Sequence, residues 1–491
     1  MDYSLLKSGT DIRGIASFLG GKTVNLTKTA VYDIIKAFSA WLDEIYQQHE
    51  KAFTIAVGHD SRITGEDISA TVIKALTDSG INVIDCGLSS TPAMFMSTID
   101  LDVDAAIEIT ASHHPFDRNG LKFFTKYGGV EGFDINRILE LANEGVALKS
   151  DFCGTVRKEN YMQTYAARLR KMICDETGKR EEELPLKGFK IVVDAGNGVA
   201  GFYANDVLKK LGADISGSRY LEPDGMFPNH IPNPENAEAM KSICEAVLES
   251  KADLGLIFDT DVDRSACVGS DGKEINRNRL IALASYIATN GRKDSVIVTD
   301  SVTSDGLKEY IEKTLECKHY RYRRGYKNVI NKAKEFTESG IDCPLAIETS
   351  GHAAFKENYF LDDGAYLATK IVIELAKGQN INNILATLKM PAEEKEVRIA
   401  INTDDFKEYG NKVLVEFEKH FSNIYNYKIA DDNREGIRFA TENGWFLLRL
   451  SVHDPVMVLN FESDISGGNE KIYAGLKDFF SKFELLSIIN C

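Results

Sequence analysis

The sequence has no long hydrophobic run and no signal-like beginning. No stretch of about 18 apolar residues is present that could span a bilayer. The first residues, MDYSLLKSGTDIRG, lack the basic segment and the apolar core of a secretory signal. We therefore expect a soluble protein that is not exported and has no membrane partner.

Closely spaced cysteines and an excess of positive charge are also missing. The eight cysteines are scattered singly from Cys86 to Cys491, without the spacing of a zinc site or of a disulfide framework. This pattern predicts reduced thiols in the cytoplasm. The 58 Lys and Arg against 74 Asp and Glu give a net charge of −16, which excludes a broad nucleic-acid-binding face. Any anion site must be local.

The length of 491 residues exceeds what one hydrophobic core usually holds, so about three or four domains are expected. Strand-like apolar runs alternate with helix-length segments, which predicts an α/β architecture with parallel or mixed sheets. The predicted strands are residues 54–57, 81–86, 189–193, 254–258 and 295–298, and two of the predicted helices are 68–77 and 199–211. The charged, proline-containing segment Lys389–Glu396 indicates a linker to a smaller C-terminal domain.

One segment concentrates reactive side chains. The sequence Thr-Ala-Ser-His-His-Pro, residues 110–115, follows the apolar run 105–109, as expected where a strand ends in an exposed loop. It places the hydroxyl of Ser112 beside His113, with Lys122 ten residues on. We interpret it as a reacting centre. The alternative is a turn in which the hydroxyl bonds its own backbone.

A second segment carries alternating carboxylates. Asp259, Asp261 and Asp263 directly follow the predicted strand 254–258, and in extended backbone their side chains project to one side. Carboxylates this close repel one another unless a cation lies among them. All-oxygen ligation favours a hard ion such as Mg²⁺. The alternative is a solvated acidic turn.

Three further segments suit a sugar phosphate, although each alone could be a solvated turn. The basic run Lys318–Lys327 can attract a small anion in an acidic chain. Glu348, Ser350 and His352 offer groups that read sugar hydroxyls, and the segment from Arg449 to Pro455 offers a guanidinium and a hydroxyl for phosphate.

In this order, these segments resemble the α-D-phosphohexomutase family, the phosphoglucomutases and phosphomannomutases. The resemblance covers nearly the whole chain and includes an N-terminal signature at 9–14 and a strand-end motif at 58–62. It implies three related α/β domains and a smaller α+β C-terminal domain around a central cleft. The expected domains are 1–150 with the phosphoserine loop, 151–268 with the metal loop, 269–388 with the sugar-recognition loop, and 389–491 with the phosphate-binding loop.

The resemblance also implies residue roles. Ser112 would carry the phosphoryl group, and Arg13, His113 and Lys122 would transfer protons or stabilise charge, with the base unassigned. Mg²⁺ would be held by Ser112 and the three aspartates. The implied substrate-binding residues are Arg264, Gly325, Tyr326, Lys327, Glu348, Ser350, His352, Arg449, Ser451 and His453.

The implied activity is Mg²⁺-dependent interconversion of hexose 1-phosphate and hexose 6-phosphate, with glucose or mannose as the sugar. It would proceed through a phosphoserine enzyme and a hexose 1,6-bisphosphate, with glucose 1,6-bisphosphate as activator. Sugar phosphates are then the expected partners of a monomer or homodimer. Phosphoglucosamine mutase, a phosphatase and a non-catalytic sugar-phosphate sensor are the alternatives.

The chain departs from the family pattern at several positions. His114 stands where the phosphoserine loop commonly has asparagine, and Tyr326 where several relatives have histidine. In the phosphate-binding loop, the replaced positions are Leu450, Val452, His453 and Asp454. These changes bear on how the phosphate is held and on which sugar is preferred.

Overall fold

The computed structural model describes residues 2–47, 52–451 and 454–490. The chain divides into two compact units. The first contains residues 1–276, 350–353 and 361–381, and the second contains 277–349, 354–360 and 382–491. Within the described ranges, none of the helices combines the length and the apolar character that crossing a membrane requires.

The first unit begins with an eight-stranded sheet in the order β1-β2-β6-β5-β3-β4-β8, with β7 beside β6. Its strands are β1 (Lys7–Ser8), β2 (Asp11–Ile15), β3 (Thr54–His59), β4 (Asn82–Leu88), β5 (Ala105–Ile109), β6 (Arg118–Thr125), β7 (Gly128–Gly129) and β8 (Val156–Lys158). Its helices are α1 (Lys28–Tyr46), α2 (Gly65–Thr77), α3 (Thr91–Asp100) and α4 (Gly132–Glu144). All five residues of β5 are buried, as expected for a strand covered on both faces.

A four-stranded sheet in the order β12-β11-β10-β9 follows in the same unit. Strand β10 pairs in parallel with β9 and antiparallel with β11. The elements here are α5 (Tyr161–Thr177), β9 (Ile191–Asp194), α6 (Ala237–Ser250), β10 (Leu254–Phe258), β11 (Ser265–Gly269) and β12 (Glu274–Ile275). All five residues of β10 are buried, so the residues that follow its carboxyl end are attached to the core.

In the second unit, β14, β13, β15 and β16 lie side by side in that order, and β13 is parallel to both of its neighbours. The bounds are α7 (Arg277–Thr289), β13 (Val296–Thr299), α8 (Asp305–Glu309), β14 (Lys318–Arg321), α9 (Tyr326–Glu338), β15 (Leu345–Ile347) and β16 (Ala353–Phe355). Two later elements belong to the first unit, namely β17 (Leu361–Asp362) and α10 (Gly364–Ala376).

The chain ends, in the second unit, in a six-stranded sheet ordered β19-β20-β21-β22-β18-β23, preceded by the short helix α11 (Ile381–Ile384). The remaining bounds are β18 (Glu393–Ile401), α12 (Phe406–Phe421), β19 (Lys428–Ile429), β20 (Ile437–Thr441), β21 (Gly444–Leu450), β22 (Val456–Ser463), α13 (Gly468–Phe480) and β23 (Leu486–Asn490). Aromatic side chains from both helices and from the sheet, among them Phe417, Phe446 and Phe479, fill its core.

The predicted α/β class is confirmed, and each predicted strand lies within two residues of an observed one. One predicted helix has an unexpected form, and one predicted linker was wrong in part. The predicted helix at 199–211 is present from residue 201, but it is π-helical over Tyr203–Leu208 and then 3₁₀-helical over Lys209–Leu211. The last half of the predicted linker belongs to β18, whose Glu393 pairs with Ser463 of β22. Most side chains from Glu393 to Glu396 are exposed, which hides the strand from a search for apolar runs.

Glu462 of β22 makes stability in this sheet depend on pH. Burial is the main cause that raises its pKa to about 7, although its carboxylate accepts a hydrogen bond from the Trp445 indole N–H at 2.7 Å. The folded protein therefore binds a proton that the unfolded chain, with the usual value of 4.5, has released. The stabilisation by the protonated Glu462 is complete below about pH 4.5 and is lost as the pH rises to about 7. Over this range the free energy of unfolding falls by at most about 3 kcal/mol.

Glu462→Gln should flatten this dependence between about pH 4.5 and 7, because glutamine does not ionise. The measurement is urea unfolding followed by Trp445 fluorescence in a Trp41→Phe background, since the chain has only two tryptophans. Glu442→Gln, an exposed position in the β20–β21 turn, is the matched control and should keep the wild-type slope. An equal slope in all three proteins would contradict the prediction.

Candidate active site

Ser112 lies three residues beyond the end of β5, in a strained and buried turn. Its φ is 51° and the residue is 4% exposed. Non-glycine residues rarely adopt such angles, and they persist where surrounding contacts enforce them. The Ser112 N–H donates to the Thr110 hydroxyl at 2.9 Å, and that hydroxyl donates to a carboxylate oxygen of Asp60 at 2.7 Å.

Arg62 holds this loop through hydrogen bonds to its backbone, an arrangement that we call the Arg62 clamp. Its guanidinium donates to four backbone carbonyl oxygens at 2.5–2.9 Å and lies 3.2 Å from Asp60, and both side chains are fully buried. The four carbonyls belong to Ser112, His114, Pro115 and Arg118. Sequence reasoning noted the strand-end motif at 58–62 but gave Arg62 no role. A planar group with five donors suits this many acceptors.

The three aspartates follow β10 and lie together. Asp259 and Asp261 are 0% exposed and Asp263 is 4% exposed, with ligand atoms all within 4.8 Å of one another. The Ser112 hydroxyl is 3.2 Å from Asp259. The structure thus brings together all four residues assigned to the metal from sequence.

The donor set fits a hard divalent cation. One buried carboxylate oxygen each of Asp261 and Asp263 has no hydrogen-bond partner. Burial, followed by repulsion from Asp263, raises the pKa of Asp259 far above its usual value. Unpartnered oxygens and mutual repulsion are what an oxygen-binding cation relieves.

Lys122, on β6, neutralises part of this charge. Its ammonium lies 2.8 Å from Asp261 and 2.5 Å from Asp263. Burial opposes the charge on Lys122, but the two aspartates outweigh it and raise its pKa well above the usual value. Lys122 is therefore a cation beside the carboxylates that neighbour Ser112.

Arg264 and His113 both contact the serine hydroxyl and each other. One terminal nitrogen of the Arg264 guanidinium donates to the Ser112 hydroxyl at 2.9 Å and to His113 Nδ1 at 2.5 Å, and the Arg264 Nε donates to Asp259 at 3.0 Å. The Arg264 cation and then burial lower the pKa of His113 well below its usual value. His113 is thus a neutral acceptor here, with Nδ1 3.4 Å from the Ser112 oxygen.

Arg13 lies on β2 and pairs with Asp11 at 2.6 Å. Its charge reaches the serine loop, because burial and then Arg13 lower the pKa of His114 to about 3. His114 stacks on His113 with ring centroids 5.1 Å apart.

His352 lies in the same unit as the aspartates. Its backbone forms an isolated bridge with Arg264, and its Nδ1 contacts Asp362 and lies 4.0 Å from Asp263. Burial opposes its charge, but Asp362 and Asp263 raise its pKa to about 9. Sequence reasoning missed Asp362, because nothing local marks a carboxylate ten residues away as the partner of a histidine. Ser350 of the same unit has a buried hydroxyl with no hydrogen-bond partner.

The second unit holds the other predicted substrate residues. Glu348 is 3% exposed and accepts a hydrogen bond from the Gly325 N–H at 2.6 Å, just before Tyr326 and Lys327 open α9. Arg449 is 8% exposed near the end of β21, and its buried Nε has no hydrogen-bond partner. Ser451 follows β21, and its hydroxyl accepts from the Asp454 N–H at 3.3 Å. Val452 and His453 lie outside the described residues.

The phosphoglucomutase/phosphomannomutase domain models match three successive parts of the chain. Domain I matches residues 6–145, domain II 163–272 and domain III 276–390, each described as α/β/α. A phosphomannomutase/phosphoglucomutase of Pseudomonas putida is 30% identical over 473 residues, covering 96% of this chain and 93% of the relative. The chain belongs to the phosphoglucomutase/phosphomannomutase family. A phosphoglucomutase of Neisseria gonorrhoeae is 28% identical over 470 residues, which is 94% of each chain.

Solved structures agree at the level of the fold. A phosphoglucomutase/phosphomannomutase family protein from Burkholderia thailandensis superposes with a TM-score of 0.82 at 24% identity, covering 99% of this chain and all of that one. The predicted family is confirmed, and with it the expected class of hexose phosphomutase, an intramolecular phosphotransferase among the isomerases.

Proposed function

We propose that this chain interconverts hexose 1-phosphate and hexose 6-phosphate, with Ser112 as the phosphoryl carrier and a hexose 1,6-bisphosphate as intermediate. The observation that carries the proposal is the setting of the Ser112 hydroxyl, 2.9 Å from Arg264 and 3.2 Å from Asp259. A phosphoryl group on this oxygen would meet one arginine cation and the metal-binding carboxylates together, as phosphoryl transfer requires.

The roles of the neighbouring residues follow from their charges. Arg264 orients the Ser112 oxygen, and Lys122 remains a cation that stabilises negative charge at the reacting centre. The low pKa of His113 makes it an acceptor for Arg264, so we assign it a positioning role and do not assign it as the base. Ser112 and the three aspartates would hold Mg²⁺, which supplies charge neutralisation when bound. Arg13 adds positive charge at the same loop.

We further assign substrate binding in the second unit to two groups. Gly325, Tyr326, Lys327 and Glu348 form the sugar-reading group, supported by the Glu348 hydrogen bond at the start of α9. We assign phosphate binding to Arg449, Ser451 and His453, which we call the Arg449 group. In the first unit, Ser350 and His352 complete the set, with the buried Ser350 hydroxyl available to accept or donate.

Other features of the proposal rest on the sequence. We propose glucose or mannose as the sugar, glucose 1,6-bisphosphate as activator, and four domains bounded at residues 150, 268 and 388. The cytoplasm is the proposed location, and the protein would be a monomer or a homodimer. The cysteines are scattered singly along the sequence, which supports a reducing compartment.

The test is to supply the purified protein with Mg²⁺, glucose 1,6-bisphosphate and either glucose 1-phosphate or mannose 1-phosphate, and to follow the 6-phosphate. Conversion is expected with at least one sugar and should stop when EDTA removes the metal, because carboxylates alone leave the phosphoryl charge uncompensated. The ratio of kcat/KM values gives the sugar preference. Absence of conversion with either sugar would redirect the test to glucosamine 1-phosphate. Failure with all three would favour a sugar-phosphate sensor, and release of inorganic phosphate a phosphatase.

A further inference from the structure

Glu435 makes an unusual contact in the second unit. It lies two residues before β20, and its carboxylate accepts a hydrogen bond from the Ser301 hydroxyl and another from the Arg324 N–H at 3.1 Å. A hydroxyl and a backbone N–H are the donors that proteins commonly present to a phosphate. Here a carboxylate of the chain occupies them.

The surroundings are those of an anion site. Arg324 and Gly325 immediately precede α9, a helix of 13 residues, so their N–H groups lie at the positive end of its dipole. Glu435 takes the first N–H and Glu348 takes the second, at 2.6 Å. Two separate side chains thus bring negative charge to one helix end.

Arg449 adds an independent observation. It is 8% exposed, and its buried Nε has no hydrogen-bond partner. Burial and then repulsion from Arg324 lower the pKa of Arg449, and Glu435 is the largest influence that raises it. Arg449 lies against Gly436, the residue after Glu435, since a Cβ built on Gly436 would come within 2.9 Å of Arg449 Cβ. Its Nε is a donor still available for an anion.

We propose that Glu435 is the resting occupant of the substrate's phosphate site, and that an incoming hexose phosphate displaces its carboxylate from Ser301 and the Arg324 N–H. The inference rests on the proposed function, which assigns phosphate binding to the Arg449 group. Glu435 then limits affinity for the phosphate, because each binding event must first expel an anion that is already hydrogen-bonded. The same competition speeds the release of the product.

A purely structural role for Glu435 makes the opposite prediction. If the carboxylate only joins the β20 turn to the Ser301 and Arg324 loops, glutamine keeps most of the contact, and any loosening weakens ligand binding. If the carboxylate competes with phosphate, glutamine removes the competing charge, and binding becomes tighter. The sign of the change therefore separates the two roles.

The experiment measures binding of glucose 6-phosphate by calorimetry in the full chain carrying Ser112→Ala, which removes turnover. Adding Glu435→Gln should lower the dissociation constant about tenfold, the effect of removing one like charge next to a bound phosphate. Glu442→Gln, the same substitution in the exposed β20–β21 turn, should leave it unchanged. An unchanged or raised dissociation constant with Glu435→Gln would overturn the inference.

Two further variants complete the test. Glu435→Asp keeps the charge but shortens its reach to Ser301, so it should tighten binding by a smaller factor, and it substitutes for Glu435→Gln if that variant does not fold. Arg449→Gln should weaken binding. If the Ser112→Ala parent binds neither glucose 6-phosphate nor mannose 6-phosphate, the proposed function itself fails. If the parent binds, and loses affinity with Arg449→Gln but gains none with either Glu435 variant, only the role of Glu435 is refuted.

Discussion

Ser112→Ala is expected to lower kcat for hexose 1-phosphate conversion by a factor on the order of 10⁴–10⁶, the cost of removing a group that forms the covalent intermediate. Arg264 and Asp259 both contact this oxygen, so alanine removes the atom that they position. The fold should survive, since the Arg62 clamp holds the loop through carbonyl oxygens that alanine retains. A coupled assay of 6-phosphate formation, with circular dichroism as a folding check, measures both effects.

Intact-mass spectrometry identifies the carrier directly. Incubation with glucose 1,6-bisphosphate should add the mass of one phosphoryl group to the wild-type chain and none to Ser112→Ala. Ser339→Ala, an exposed serine at the end of α9, is the matched control and should behave as wild type. Phosphorylation or substantial turnover of Ser112→Ala would show that another residue carries the phosphoryl group.

Arg62→Leu is expected to lower the free energy of unfolding by about 3–5 kcal/mol, because it leaves the fully buried Asp60 without its cation and four carbonyl oxygens without their donor. Phosphorylation of Ser112 should fall as well, since the strained turn loses the contacts that hold it at φ 51°. Thermal melting followed by circular dichroism gives the stability change.

Arg137→Leu provides the comparison for this prediction. Arg137 is 42% exposed and pairs with Glu44 at 2.7 Å on the surface, where such a pair contributes about 1 kcal/mol or less. Its melting temperature should therefore stay close to that of the wild type. If Arg62→Leu were no less stable than Arg137→Leu, the hydrogen bonds of Arg62 would not be what holds the Ser112 loop.

Much of the fold could be predicted because buried parallel strands consist of consecutive apolar residues, which are visible in the sequence. The runs ending at Ile109 and Phe258 predicted β5 and β10, and the polar residues after each marked where a loop begins. Prediction failed where the pattern was hidden, as in the exposed half of β18. In residues 199–211 the apolar spacing predicted a helix but did not distinguish the π and 3₁₀ forms that the structure has.

The candidate site divides in the same way. The residue types in some motifs indicate their chemistry, so these residues could be proposed from the sequence alone. They are Ser112, the three aspartates, Lys122 and Arg264. Arg62 stands in the strand-end motif at 58–62, but the motif does not show that its guanidinium is buried against four carbonyl oxygens. Asp362 and Glu435 stand in no motif, and such carboxylates are usually solvated surface charges. Their importance comes from burial and from partners far along the chain.

The sequence by itself determined the family, the alternation of strands and helices, and the residue types at the reacting centre, because local hydrophobic pattern and motif spacing encode them. The tertiary structure alone decided the charge states and the contacts. Whether His113 is neutral, His352 protonated, or Glu435 bound where a phosphate would bind depends on desolvation and on charges that folding brings within a few ångströms. Those distances exist only after strands remote in sequence have packed together.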